Sequence, residues 1–117
     1  MSVDHVVAVV PVSDIATAEA FYQRLFDRPA DNNPMPNLVE WQVTGNGWVQ
    51  VFEDRDRAGH TLLNLAVDDL DGHLAGLTAR DLAPEPVQEA SKGVRLSGIT
   101  DPDGNRITFV GGFRVRY

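Results

Sequence analysis

The chain has 117 residues, 43% of them hydrophobic and 23% charged, an ordinary composition for one globular domain that excludes wholesale disorder and several independent functional units. Ten Lys+Arg against 17 Asp+Glu leave a formal net charge of −7, which repels a polyphosphate backbone and argues against nucleic acid as a partner. There is no cysteine, so disulfides, thiolate catalysis and cysteine-ligated zinc or iron–sulfur centres are excluded.

The opening residues MSVDH carry acid where a signal peptide would carry base. No apolar run approaches the ~20 residues of a membrane helix, so no membrane partner and a cytoplasmic location are expected. Val6 to Val12 is a short β-branched run, a strand. Asp14 follows as a helix N-cap, and Ile15, Ala18, Phe21, Tyr22 and Leu25 recur at helical spacing behind it. Asp31 to Asn37 holds two prolines and three asparagines and reads as a loop or irregular edge strand. Leu38 to Val43 and Trp48 to Phe52 are two β-rich runs joined by Thr44-Gly45-Asn46-Gly47, whose Gly and Asn suit a hairpin turn.

After a polar connection, DRDRAG, the pattern begins again. Leu62 to Val67 is an apolar strand, Asp69 or Asp71 caps a helix carrying Leu70, Leu74 and Leu77, and Ala83 to Pro86 stops it. Glu85 to Lys92 suits an edge strand. Val94 to Thr100 and Arg106 to Val110 flank the turn Asp101-Pro102-Asp103-Gly104-Asn105, whose two aspartates are read as turn chemistry rather than as an acid–base pair. Aligning Asp14 with Asp69, an offset of 55 residues, superposes strands, helices and hairpins. The expected fold is α+β: one domain of two βαβββ modules, the first over 3–53 and the second over 60–112, joined by 54–59, with a tail at 113–117 that pairs as an edge strand or covers a subunit contact.

The strand ending in VSD, the helix segment AEAFYQRLF and the late hairpin DPDGNRITFV resemble the vicinal oxygen chelate superfamily, which includes glyoxalase I, bleomycin-resistance proteins and extradiol dioxygenases. The resemblance covers almost the whole chain. It implies that the paired modules form a curved mixed sheet around a cleft, where many members hold a divalent metal with one residue from each of four strands. The corresponding positions here are Val7, Gln50, Leu62 and Thr108, and none is a usual ligand. No metal and no cofactor are therefore expected. His5 and His60, equivalent in the two repeats and each two residues from the family's ligand position, offer a displaced alternative with Glu53 or Glu40. His73, on the second helix, is expected to be exposed.

Strand parity then assigns the cleft lining. Trp48, Gln50 and Phe52 share one face, and pairing across the first hairpin sets Trp41 opposite Gln50. His5, Val7 and Val9 follow on the first strand, and His60, Leu62 and Asn64 on the fifth. A two-residue turn at Asp103-Gly104 sets Thr108 opposite Ile99 and brings Arg106, Val110, Arg95 and Ser97 to the same side. Such a lining suits a flat, partly polar molecule: aromatic faces supply area and a few polar groups supply orientation. The expected function is metal-free binding of an aromatic or heterocyclic compound, as in drug resistance or natural-product metabolism. The same residues serve equally a metal-independent enzyme acting on such a compound. The alternative is a metal-dependent lyase, isomerase or dioxygenase using His5 and His60. A homodimer is expected, because one curved module does not enclose a pocket.

Overall fold

Two copies of one supersecondary unit account for nearly every regular element. In the computed structural model, which describes residues 1–117, the first copy is β1 (Val6–Val12), α1 (Ile15–Phe26), β2 (Asn32–Met35), β3 (Leu38–Thr44) and β4 (Gly47–Glu53). The second is β5 (Leu62–Val67), α2 (Leu70–Ala79), β6 (Gln88–Glu89), β7 (Arg95–Thr100) and β8 (Arg106–Gly111), with a single 3₁₀ turn at Ser91–Gly93 between β6 and β7. Each copy folds into its own four-stranded sheet, in the orders β1-β4-β3-β2 and β5-β8-β7-β6. The first strand runs parallel to the last in both, because the helix returns the chain before it pairs; all other neighbours are antiparallel. The fold is thus α+β, two βαβββ modules with mixed sheets, as the repeat predicts.

Each helix covers one face of its sheet. α1 buries Ala18, Phe21, Tyr22 and Leu25, one stripe at helical spacing, over Val10, Val12, Val39, Trp41, Val49 and Val51. Its entry differs in detail from expectation. Asp14 holds the N-cap position but accepts the Thr17 hydroxyl at 2.6 Å, and the free N–H of Ile15 bonds Glu53 Oε1 at 3.0 Å instead. Glu53 is thereby committed to capping a helix rather than to the cleft. In α2 the cap is the expected one, with Asp69 accepting from the Gly72 N–H at 3.1 Å.

The helix-side faces of both sheets merge into one apolar cluster that includes Tyr22, Trp41, Leu77, Ile107 and Phe109. At one end of the junction the DPDGN turn reaches across to the first module. Asp101 accepts the Tyr22 hydroxyl at 2.8 Å, Asn105 Nδ2 donates to the Pro11 carbonyl at 2.8 Å, and Asp103 accepts the Ser13 N–H at 2.9 Å. At the other end Arg80 donates to the carbonyls of Arg24 and Leu25, at 2.6 and 3.2 Å, closing the last turn of α1.

Two peripheral expectations are corrected. The segment from Glu85 to Lys92 pairs only through Gln88 and Glu89, and Pro86 has no N–H to give the ladder. Of the two readings of the tail, the edge strand is the one corrected: Phe113 to Tyr117 forms none and lies exposed, with the Arg114 guanidinium 4.5 Å from the Tyr117 ring centre.

Candidate functional site

The faces opposite the helices carry the candidate site, one face in each module. On the first, β4 presents Trp48, Gln50 and Phe52, all half-buried, beside Val7, Val9 and Pro11 of β1. A polar line crosses this face: Gln50 Nε2 donates to Glu40 Oε2 at 2.7 Å, and Asn32 Nδ2 donates to Glu40 Oε1 at 3.1 Å. The Gln50 amide is therefore oriented by a carboxylate, with its carbonyl left to face a ligand.

The registers of both long hairpins differ by one residue from the expected ones. Gln50 pairs with Glu40, not Trp41, because Val43 is bulged out between Gln42 and Thr44. Trp41 consequently sits on the helix side, fully buried against Phe26 and Tyr22, with its indole N–H on the Arg28 carbonyl at 3.0 Å. It leaves the cleft lining. In the second module Thr108 pairs with Gly98, not Ile99, because five residues rather than a shorter turn separate the Thr100–Arg106 pair. Arg95 and Ser97 move to the helix side with that slip. The Arg95 guanidinium grips Asp71 of α2 at 3.1 and 3.2 Å and holds that carboxyl below the usual range, while Ser97 donates to the Glu85 carbonyl at 2.6 Å.

What replaces them on the second cleft face is Leu96, Gly98 and Thr100 of β7, with Asn64 directly beside Thr108. Arg106 lies across Gly98 and makes two 2.8 Å hydrogen bonds to Glu85, whose carboxyl it holds below the usual range. A side chain at 98 would collide with that guanidinium, so the glycine makes the ion pair possible. The sequence pattern places Glu85 in an edge strand from Glu85 to Lys92, but the strand pairs only at Gln88 and Glu89, and parity counting does not reach Glu85. The slip that brought Gly98 under Arg106 had no signal in composition.

The four positions that the resemblance assigns to a metal do not fit a divalent ion here. Val7 and Leu62 offer no donor, and Gln50 already shares its amide with Glu40. His5 and His60 are both exposed at the approaches to β1 and β5, and His5 lies 3.3 Å from Asp4. No three of the histidine, aspartate and glutamate side chains gather into a group of ligand geometry, the displaced His5/His60 arrangement included.

His73 is the other correction. Rather than standing exposed on α2, it packs its ring 4.4 Å from that of Phe109, and its Nε2 is buried with no hydrogen-bond partner. Burial, reinforced by the nearby Arg80 charge, pulls its pKa down and keeps the ring neutral. An orphaned buried nitrogen costs about 1–3 kcal/mol unless something reaches it.

Neither face is enclosed. β1 and β5 are edge strands with no ladder between them, and Val7, Val9 and Leu62 stand 45, 46 and 79% exposed. No helix is long and apolar enough to cross a membrane.

No family model and no curated sequence matches the chain, so its relatives are found by structure. A glyoxalase/bleomycin resistance protein from Catenulispora acidiphila DSM 44928 superposes with a TM-score of 0.86 at 30% identity, over 92% of this chain and 96% of that one. A lactoylglutathione lyase from Agrobacterium tumefaciens gives 0.77 at 19% identity, over 92% of each chain. A bleomycin-binding protein complexed with bleomycin also gives 0.77, at 17% identity over 94% of this chain and 99% of that one. A lyase and a binding protein thus share the fold, and the side chains on it must separate the two activities.

Proposed function

Because this chain belongs to the glyoxalase/bleomycin-resistance proteins of the vicinal oxygen chelate superfamily, we propose that it is a metal-free cytoplasmic binding protein for a small aromatic or heterocyclic compound. The observation that carries this reading is the first cleft face: a half-buried indole and phenyl ring, Trp48 and Phe52, flank a Gln50 amide held in place by Glu40. An aromatic wall with one fixed polar group recognises a planar solute by stacking and orients it by a single hydrogen bond. Binding without a metal is supported by aliphatic Val7 on this face and Leu62 on the face of the second module, which stand where the family resemblance would place ligands. The related bleomycin-binding protein supports a ligand of this class.

The protein acts as a homodimer in this proposal. A single copy leaves two half-clefts and two unpaired apolar edges, β1 and β5. A second copy adds the missing wall to each by a two-fold arrangement and yields two equivalent sites. Titrating the purified protein with bleomycin and a panel of polycyclic and heterocyclic antibiotics while following tryptophan emission tests the ligand reading. A saturable quench that disappears in Trp48→Ala is expected. Absence of quenching across the panel, or one tightly held metal equivalent per chain that is lost in a His5→Ala/His60→Ala variant, would overturn it.

A further inference from the structure

The two hairpins that meet the module junction have equal length, yet only one of them fills the space it faces. Five residues lie between the pairs Gln42–Trp48 and Thr100–Arg106, so Val43 corresponds to Asp101, Gly45 to Asp103 and Gly47 to Asn105. In the second hairpin these three polar side chains cross the junction to Tyr22, Ser13 and the Pro11 carbonyl. In the first hairpin Val43 and two glycines stand at the same places and make no polar contact across the junction. The counterpart of Pro11 is Ala66 and that of Tyr22 is Leu77, by the 55-residue repeat offset. Where the network would be, there is instead a cavity of about 590 Å³ between the end of α1, the first hairpin, the β5 edge and α2.

We propose that this junction cavity, which shares only Asn64 with the cleft faces, is a second ligand site for a small aromatic acid. Its walls are apolar where a ring would lie, through Phe26, Val43, Leu65 and Phe109, and its volume is within the range of small-molecule pockets. The polar part of the lining is net cationic, with the guanidiniums of Arg28 and Arg80 against the single carboxylate of Asp27, beside the neutral side chains of Thr44 and Asn64. His73 lines the cavity and its Nε2 has no partner; Arg80 commits Nε and Nη2 to helix carbonyls, and its Nη1 has only a 3.7 Å contact to Asp27. A carboxylate supplies the acceptor that Arg80 Nη1 lacks, beside the His73 ring. The chain fills the equivalent space on the other side with the same chemistry, the Tyr22 ring set against the Asp101 carboxylate. The site rests on the asymmetry of the two hairpins and stands independently of what the cleft binds.

The three histidines make the test site-specific, since His73 lines the cavity while His5 and His60 lie at the approaches to the cleft strands. The probe is 2-naphthoate, titrated into protein with isotopically labelled histidine and followed by imidazole NMR. The expected result is a saturable shift of the His73 resonance with His5 and His60 unmoved, lost in Thr44→Trp, an exposed position where a large ring fills the mouth. The shift persists in Trp48→Ala. 2-Naphthylmethylamine, with the same rings and the opposite charge, leaves His73 unmoved. A His73 resonance that stays fixed at millimolar naphthoate, a shift shared by all three histidines, or an equal response to the amine would overturn the proposal.

Discussion

The Tyr22 hydroxyl donates to Asp101 Oδ2 at 2.8 Å, joining a helix of the first module to the turn of the last hairpin where both groups are shielded from water. Asp101 also accepts the Asn105 amide at 2.8 Å and the backbone N–H groups of Asp103 and Asn105 at 2.9 Å. The bond is one strand of a satisfied buried network, so its loss is unequal from the two ends. Tyr22→Phe leaves Asp101 three donors and is expected to cost about 1–2 kcal/mol. Asp101→Ala strands a hydroxyl, an amide and two backbone donors and is expected to cost about 3 kcal/mol or more. Urea midpoints of the two variants and their double mutant measure both values, and a coupling of about 1 kcal/mol between them is expected.

Alkaline stability follows from the same pair. Burial, then the Asp101 charge, raises the Tyr22 pKa far above the phenol's ordinary value. The unfolded chain releases this proton near pH ~10 while the folded one keeps it, so the unfolded state binds fewer protons above that pH. Stability is therefore fully present below pH ~10 and falls above it, with a slope of about 1.4 kcal/mol per pH unit from this residue. Denaturation curves from pH 8 to 11 are expected to show that slope in the wild type and a shallower one in Tyr22→Phe.

The two tryptophans separate folding from binding. Trp41 is fully buried among Tyr22 and Phe26, so Trp41→Ala is expected to cost about 3–5 kcal/mol of stability, as large-to-small changes in a packed core do. Trp48 is half-buried on the cleft face, and Trp48→Ala is expected to spare most of the stability while weakening a planar ligand by about 1–3 kcal/mol. Thermal unfolding and ligand titration on each variant check the division. Loss of affinity in a well-folded Trp41→Phe variant with none in Trp48→Ala would reverse it.

Light scattering addresses the proposed second copy. The expected mass at micromolar concentration is twice the 12.8 kDa of one chain. A charge placed on the β1 edge, Val9→Lys, is expected to return it to one chain, since Val9 is 46% exposed in the single copy and its loss disturbs no core packing. A monomer that persists as concentration rises would defeat the dimer and leave the half-clefts open.

Much of the architecture was legible because it depends on local pattern. The β-branched runs, the Ala18–Phe21–Tyr22–Leu25 stripe and the glycine- and aspartate-bearing turns each specify an element within a dozen residues, and the spacing from Asp14 to Asp69 exposes the repeat. The aliphatic character of Val7 and Leu62 at the family's ligand positions was equally plain, since it needs only residue identity. Tertiary structure alone decided which side of a sheet three residues occupy. Side chains alternate along a strand, so one bulged residue at Val43 carried Trp41 into the core, and one more residue in the last turn carried Arg95 and Ser97 onto the helix side. Hairpin register is set by how the whole core packs, here by the fit of the Trp41 indole beneath α1 and its bond to the Arg28 carbonyl, and no local propensity encodes that fit. The burial of His73 against Phe109 has the same origin: α2 and β8, far apart in the chain, meet only once the second module has folded.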